Sequence, residues 1–296
     1  MTLGKAAPDG SRIVPGQILP GLHFIATPIG AARDITLRAL DILAGADVLA
    51  AEDTRTLRHL MEIHGVAVGG RPLIAYHDHN GEAVRPRLIA LLKEGKSVAY
   101  ASEAGTPLIA DPGFQLSRAA IAEGLTVLAA PGPSAVLCAL TVSGLPSDRF
   151  LFAGFLPNKT SARRSVLREL AEVPGSLVFY ESPRRIGASL RDMVAVLGEN
   201  RQAAVCRELT KKFEEVTRGC LKDLANAFTQ RDVKGEIVVV VDRATRADAN
   251  PETVEEALKV AMLGHSLKDA AALVASDLGL PKRDVYQRAL EMGTKK

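Results

Sequence analysis

In the first half of the chain, five short apolar runs alternate with segments of helical periodicity: LHFIATP, DVLAAED, PLIAYHDH, SVAYASE and TVLAAPG. The runs are strand-length, and the intervening apolar residues recur every three to four positions. DITLRALDILAGA carries Ile35, Leu37, Leu40 and Leu43 at that spacing and ends near Gly45. TRTLRHLMEIHG stops at Gly65, and EAVRPRLIALLKEG reads as a helix with Pro86 in its first turns. A helix near 114–123 and one of small residues from Ser134 complete the series. Strands alternating with amphipathic helices predict an α/β fold with much parallel pairing.

A second series follows GLPSDRFLFAGFLP: helix 160–171, strand SLVFYES, helix 184–197, strand AAVCREL, a turn, helix 221–229 and strand GEIVVVVDR. RADANPETV is polar, carries a proline and reads as a linker. SLKDAAALVASDLGLPKRDVYQRALEM reads as two helices joined through LGLPKRD. The expected division is a flexible leader at 1–20, an N-terminal α/β lobe at 21–145, a C-terminal α/β lobe at 146–245, and a helical, helix-turn-helix-like module at 250–296.

Composition narrows the function classes. At 296 residues, 47% hydrophobic and 24% charged, the chain can bury a large core without staples. No apolar run approaches the ~18–20 residues of a membrane helix, and the N-terminus lacks the continuous apolar segment of a secretory signal. Cys138, Cys206 and Cys220 have no paired spacing, which suits packed thiols in a reducing cytoplasm. A net charge of +3 permits an anionic partner. The absence of Trp and the few other aromatics advertise no base-stacking platform.

The strand ends carry the unusual chemistry. They read ATPIGA, AEDTR (with Glu52, Asp53 and Arg55), YHDHN, SEAGTPLIADPG and APGPSA. In open α/β sheets ligands bind outside the carboxyl ends of the strands, so these ends predict one cleft. The fourth run stops at Glu103, then continues through Gly105, Thr106 and Pro107 to Asp111, Pro112 and Gly113, a path too constrained for a plain connection. TPIGA holds one glycine, which excludes a dinucleotide fingerprint. Ser134 after PGP can cap the next helix and present its amides. His77 and His79 can share a face, but two ligands without a third do not make a zinc site, and no metal is expected.

TPIG, AEDTR, HDHN, AGTPLIADPG, PGPSA, GLPSDRFLFAGFLP, FYESPRR and RELTKKFEE occur in this order. The ordered set resembles the bacterial small-subunit (16S) ribosomal RNA cytidine 2′-O-ribose methyltransferases of the tetrapyrrole methylase-like superfamily. The resemblance covers residues 20–296. It departs at Glu103, where the family has Asp, at Ala31, where it has Asn, and at Gly81, inserted where it runs straight to Glu.

The resemblance implies a two-lobed α/β fold with a C-terminal helical module, and S-adenosylmethionine held between the lobes. It also implies a homodimer, a cytoplasmic location and a target cytidine in the decoding region of the small-subunit RNA, naked or in the assembled subunit. Donor contacts are expected from Pro28, Ile29 and Gly30; from Glu103, Ala104, Gly105 and Thr106; from Ser134 and Ala135; and from Tyr180. A base for the ribose hydroxyl is open among His77, Asp78, His79, Asp53, Glu181 and Lys211, with Asp53, Asp78, Glu181 and Lys211 the candidates carried forward. RNA contacts are expected from Arg55, Arg163, Arg164, Arg184, Arg185 and Lys211, with Arg33, Arg58, Lys159, Lys212 and the tail cations Lys268, Lys282 and Arg283 as further candidates. Two alternatives stand beside this reading: a methyltransferase acting on a tetrapyrrole or other small molecule, and a non-catalytic RNA-binding protein.

Overall fold

The structure, a computed structural model, describes residues 18–109, 113–244, 251–278 and 282–293. Most of the expected leader, Asp111 and Pro112, and the linker's residues 246–250 lie outside the described residues.

Five strands, β1 (Gly21–Ile25), β2 (Val48–Ala51), β3 (Leu73–Ala75), β4 (Ser97–Ala101) and β5 (Val127–Ala130), form a sheet in the order β3-β2-β4-β1-β5. Every pairing is parallel, so all five carboxyl ends share one edge. Helices α1 (Leu37–Gly45) and α2 (Thr54–Ile63) contribute to the core around Ile25, Leu49 and Ala99. Helices α3 (Gly81–Lys93) and α4 (Gly113–Ala122) contribute to the core on the other face, around Leu22, Phe24 and Tyr100. Burial on both faces is why the central strands β1, β2 and β4 read as unbroken apolar runs.

One local expectation changes. The Thr36 hydroxyl accepts the Ala39 amide at 3.2 Å, so α1 starts at Leu37. Ala39, Leu40, Ile42 and Leu43 then form the buried stripe, and Leu37, on the opposite side, is 63% exposed. Pro86 sits in the second turn of α3, within the first turns as expected.

The second sheet contains β6 (Phe150–Phe155), β7 (Ser176–Glu181), β8 (Gln202–Arg207), β9 (Glu215–Cys220) and β10 (Ile237–Val241), in the order β6-β7-β10-β8-β9. Only β6–β7 is parallel here, so the expected parallel pairing dominates the first sheet and is a minority in the second. Strand β9 replaces what the sequence suggested was a turn. Its residues, EVTRGC, are half-exposed on a sheet edge and lack an apolar run. Helices α6 (Thr160–Leu170), α7 (Ile186–Leu197) and α8 (Leu221–Thr229) cover one face. The other face meets α5 (Ala135–Ser143), whose Val136, Ala139 and Leu140 pack with Val178, Ala204, Cys206 and Val238. That contact, which also includes Ile29, joins the two sheets through one apolar cluster.

The tail holds three helices, α9 (Pro251–Ala261), α10 (Leu267–Leu278) and α11 (Lys282–Gly293), around Leu258, Ala270, Val274, Val285 and Ala289. Two helices were expected. The third begins inside the presumed linker, because a proline at the first helical position lacks only an N–H that would be unsatisfied anyway.

Candidate active site in the interlobe cleft

Between the sheets lies a cleft of about 710 Å³, within the usual size of small-ligand sites. Its first-lobe wall is the set of loops leaving β1, β4 and β5, with Glu52 and Thr56 from the β2 side. All ten residues predicted to contact the donor line this one cleft: Pro28, Ile29 and Gly30 after β1, Glu103 to Thr106 after β4, Ser134 and Ala135 at the start of α5, and Tyr180 in β7.

The loops are held by their own hydrogen bonds. Thr27 and Gly105 exchange two backbone bonds at 3.0 Å each. The Ser102 hydroxyl donates to the Gly105 carbonyl at 2.6 Å, and Thr106 donates to the Pro133 carbonyl at 2.9 Å. Gly105 has φ +79°, and a Cβ there would also crowd the Ile29 side chain at 3.2 Å. Glu103 is exposed and makes no hydrogen bond or ion pair among the described residues. Ser134 occupies the N-cap position of α5 without a side-chain cap bond, so the expected capping role is absent.

The second lobe supplies the opposite wall, chiefly Phe155, Tyr180, Glu181, Leu209, Lys211 and the 235–238 segment. Two non-glycine residues flanking Leu209 are left-handed, Glu208 at φ 52° and Thr210 at φ 64°. The segment is nevertheless pinned. The Glu208 carboxylate accepts the Glu236 amide at 2.9 Å, and Lys211 Nζ lies 2.9 Å from both Glu208 and Glu236. Gly30 fits directly beneath it: a Cβ there would come within 2.5 Å of Lys211 Cγ and 2.7 Å of the Thr210 hydroxyl.

The four carried-forward base candidates fare differently. Lys211 lines the cleft, but it is a paired cation. Burial pulls its pKa down, yet the hydrogen bonds and charges of Glu236 and Glu208 outweigh that and raise it. Glu181 also lines the cleft, with a side chain only 1% exposed. It accepts from Ser189 and from the Ser182 amide and pairs with Arg185, so its oxygens are occupied. Asp53 is not in the cleft wall. It caps α2 and clamps Arg55, whose side-chain and backbone hydrogen bonds hold its carboxyl at about 2. Asp78 follows β3, the outermost strand, whose loop does not reach the cleft. Four of the five predicted strand ends therefore converge, and the YHDHN end does not. The His77 and His79 rings meet edge-on, with centroids 6.0 Å apart, in that outlying loop. Gly81 there packs under Tyr76, where a Cβ would lie 3.3 Å from the ring.

The expected RNA-contact arginines divide as sharply. Arg163 is buried, pairs with Asp192 at 2.6 Å and donates to the carbonyls of Pro157 and Asn158. It is a structural post and not a surface contact, which corrects the expectation. Arg185 is likewise turned inward, toward Glu181, Asn158 and the Leu156 carbonyl. Arg164 shares Asp192 but stays partly exposed, and Arg55 is exposed against Asp53. Arg184 is exposed and has no hydrogen-bond or ion-pair partner among the described residues. Sequence reasoning missed Phe155, Leu209 and Glu236 as cleft residues. Each comes from the second sheet or the loops beside it, whose mixed topology was not foreseen.

A parallel sheet presenting its carboxyl-end loops to a second, mixed sheet across one cleft defines a two-lobed α/β enzyme of the methylase class. The same fold occurs in cobalt precorrin-4 methyltransferase (TM-score 0.58, 17% identity, 75% of this chain and 94% of that one). It occurs also in uroporphyrin-III C-methyltransferase from Thermus thermophilus, solved with S-adenosyl homocysteine (TM-score 0.53, 17% identity, 77% of this chain and 99% of that one). The family model for tetrapyrrole (corrin/porphyrin) methylases matches residues 21–225, and the chain belongs to that family. Residues 248–293 match the RsmI C-terminal HTH domain. Similarity extends over most of the chain to proteins named ribosomal RNA small subunit methyltransferase I. That of Mesorhizobium japonicum is 47% identical, covering 96% of each chain. That of Escherichia coli O157:H7 is 42% identical, covering 91% of this chain and 94% of the relative.

Proposed function

We propose that the chain is an S-adenosylmethionine-dependent methyltransferase acting on the ribose 2′-oxygen of a cytidine in the decoding region of small-subunit ribosomal RNA. The observation that carries the donor site is the convergence of the β1, β4 and β5 loops on one cleft of about 710 Å³. The similarity to small-subunit methyltransferases, through the helical tail, supports the acceptor.

The cleft residues fit the donor chemically. Bound S-adenosylmethionine supplies a methyl carbon activated by its sulfonium leaving group. The uncommitted Glu103 carboxylate suits the donor's ammonium or ribose hydroxyls. The free amides at the start of α5 suit its carboxylate. Gly30 and Gly105 let the loops pack closely on Lys211, Thr210 and Ile29, which shapes the cleft. The chain's contribution is alignment and exclusion of water. With Asp53 and Asp78 outside the cleft, Glu181 saturated and Lys211 charged, none of the four is free to serve as a general base. Arg184, and the outward parts of Arg55 and Arg164, are the surface cations for RNA. The separate core of α9 to α11 and the match to a C-terminal HTH domain support reading residues 250–296 as the part that engages RNA. The protein acts as a cytoplasmic homodimer.

Transfer of a radiolabelled methyl group to three acceptors tests the reading: assembled small subunits, free small-subunit RNA and porphyrinoid precursors. Label in the RNA at a ribose oxygen is expected, and label only in the porphyrinoid would replace the reading with a small-molecule methyltransferase.

A further inference from the structure

Phe155 is a large aromatic side chain left 57% exposed on the wall of the cleft. It reaches that position through a break in strand pairing. Along β6, Phe152 pairs with Val178 of β7, but the next pair is Gly154 with Phe179, and Phe155 then pairs with Tyr180. Ala153 is thus the extra residue of a bulge, and Gly154 takes φ +66°. A regular strand would send residues 152 and 155 to opposite faces. The bulge returns Phe155 to the face shared by Phe152 and Tyr180. Bulges of this kind re-aim side chains beside active sites. Glycine is required here by its backbone angle alone, since nothing lies within 4 Å of where its Cβ would stand.

The ring is also fixed. Tyr180 meets Phe155 edge-on at 5.5 Å and 63°, and meets Phe152 at 4.8 Å and 64°. The following residue, Leu156, is 2% exposed and anchors the strand end in the core. Packed on Tyr180 at its edge, the ring still leaves more than half of its surface in solvent.

We infer that Phe155 is a substrate-positioning residue: its ring is the stacking platform for the base of the nucleotide whose ribose is methylated. This rests on the RNA reading above. A ribose buried in a small cleft carries its base in with it, and an unstacked base needs a new π-face. Phe155 belongs to the outermost strand of the second sheet, opposite the first-lobe loops assigned to the donor. The exposed Arg184, without a hydrogen-bond or ion-pair partner among the described residues, follows Pro183, itself a cleft residue, so a cation suited to phosphate lies on the same lobe. An aromatic face with a nearby cation is the combination that holds single-stranded nucleic acid.

The test compares Phe155→Tyr, Phe155→Leu and Phe155→Ala with the wild type. Steady-state transfer to small subunits is measured at saturating donor, with donor affinity by calorimetry and assembly by sedimentation. Leu and Ala are expected to lower kcat/KM by about 5- to 100-fold, mostly through KM, as expected for a lost base stack. Tyr should stay within about threefold, and donor Kd and oligomeric state should not move. Wild-type kinetics in Phe155→Leu would reduce the ring to a space-filler. A parallel loss of donor affinity would assign it to the donor's adenine, and a change in assembly would assign it to a second copy of the chain. A separate arm uses single-stranded oligonucleotides carrying 2-aminopurine, whose fluorescence should be quenched by the wild type and the Tyr variant but not by Leu. Quenching without transfer to small subunits would remove the functional reading and keep the platform; no quenching would remove the platform.

Discussion

The Ala31 amide, beyond β1 in the first lobe, donates to the Thr210 hydroxyl of the second lobe at 3.1 Å. It ties a left-handed residue, φ 64°, to the loop that forms the floor of the cleft. Gly30 beside it leaves no room for a side chain. The two walls are therefore joined beside the cleft proposed for the donor.

Thr210→Val keeps the volume and removes the acceptor, leaving the Ala31 amide without a partner. One such bond is worth about 1 kcal/mol, so donor affinity should fall about fivefold by calorimetry. Thr210→Ser should restore it. Equal affinities in all three proteins would mean that the clasp does not set the cleft.

Arg163 and Arg184 should separate stability from binding. Asp192→Ala strands the buried Arg163 charge and should cost about 3–5 kcal/mol, seen as a fall in Tm of roughly 6–20 °C. Arg184→Ala should leave Tm unchanged, weaken binding to small-subunit RNA, and reduce the salt slope by about 0.7–0.9. A large loss of stability in Arg184→Ala would make it an internal element like Arg185.

Glu215 carries a pH signature. The hydrogen bond from Arg231, against an opposing desolvation, and that from Arg207 hold its pKa at about 2, below the usual 4.5. A carboxyl depressed on folding contributes stability above its unfolded value and loses it as pH falls through the folded one. Glu215 is partly exposed, so screening limits the contribution to about 1 kcal/mol. Glu215→Gln should lower Tm by roughly 2–4 °C above about pH 5. The gap from wild type should close between about pH 4.5 and 2. A gap independent of pH would show that packing, not charge, is lost.

Truncation after Ala249 should spare folding and donor affinity, because α9 to α11 build their own core around Leu258 and Val274. Methyl transfer to assembled small subunits should drop at least tenfold. Loss of donor binding on truncation would place the tail in the catalytic core.

What the sequence made legible follows from its periodicities. The parallel sheet was readable because strands buried on both faces, such as SVAYA, are unbroken apolar runs. Its carboxyl ends then had to share one edge, which is how residues as distant as Gly30, Glu103 and Ser134 could be assigned to one cleft. The edge strand β9 was hidden because half-exposed residues leave no run. Lys211, Glu181, Arg163 and Arg185 could be named by type but not by role. Whether a charge is free or already paired depends on partners brought in by tertiary folding, such as Asp192 for Arg163 and Glu236 for Lys211. Phe155 was invisible because one bulge decides which way the ring points.

Titration calorimetry of S-adenosylmethionine into the wild type, Glu103→Ala and Glu103→Asp tests the donor cleft most directly. Glu103 reaches the cleft with no hydrogen-bond or ion-pair partner among the described residues and feels the charge of Arg55, which leaves its carboxylate available to the donor. A hydrogen bond to a charged group is worth about 1.5–3 kcal/mol, so Glu103→Ala should raise Kd by about 10- to 150-fold. Glu103→Asp should stay within severalfold, with one donor per chain throughout. An unchanged Kd in Glu103→Ala would contradict the assignment of the donor to this cleft wall.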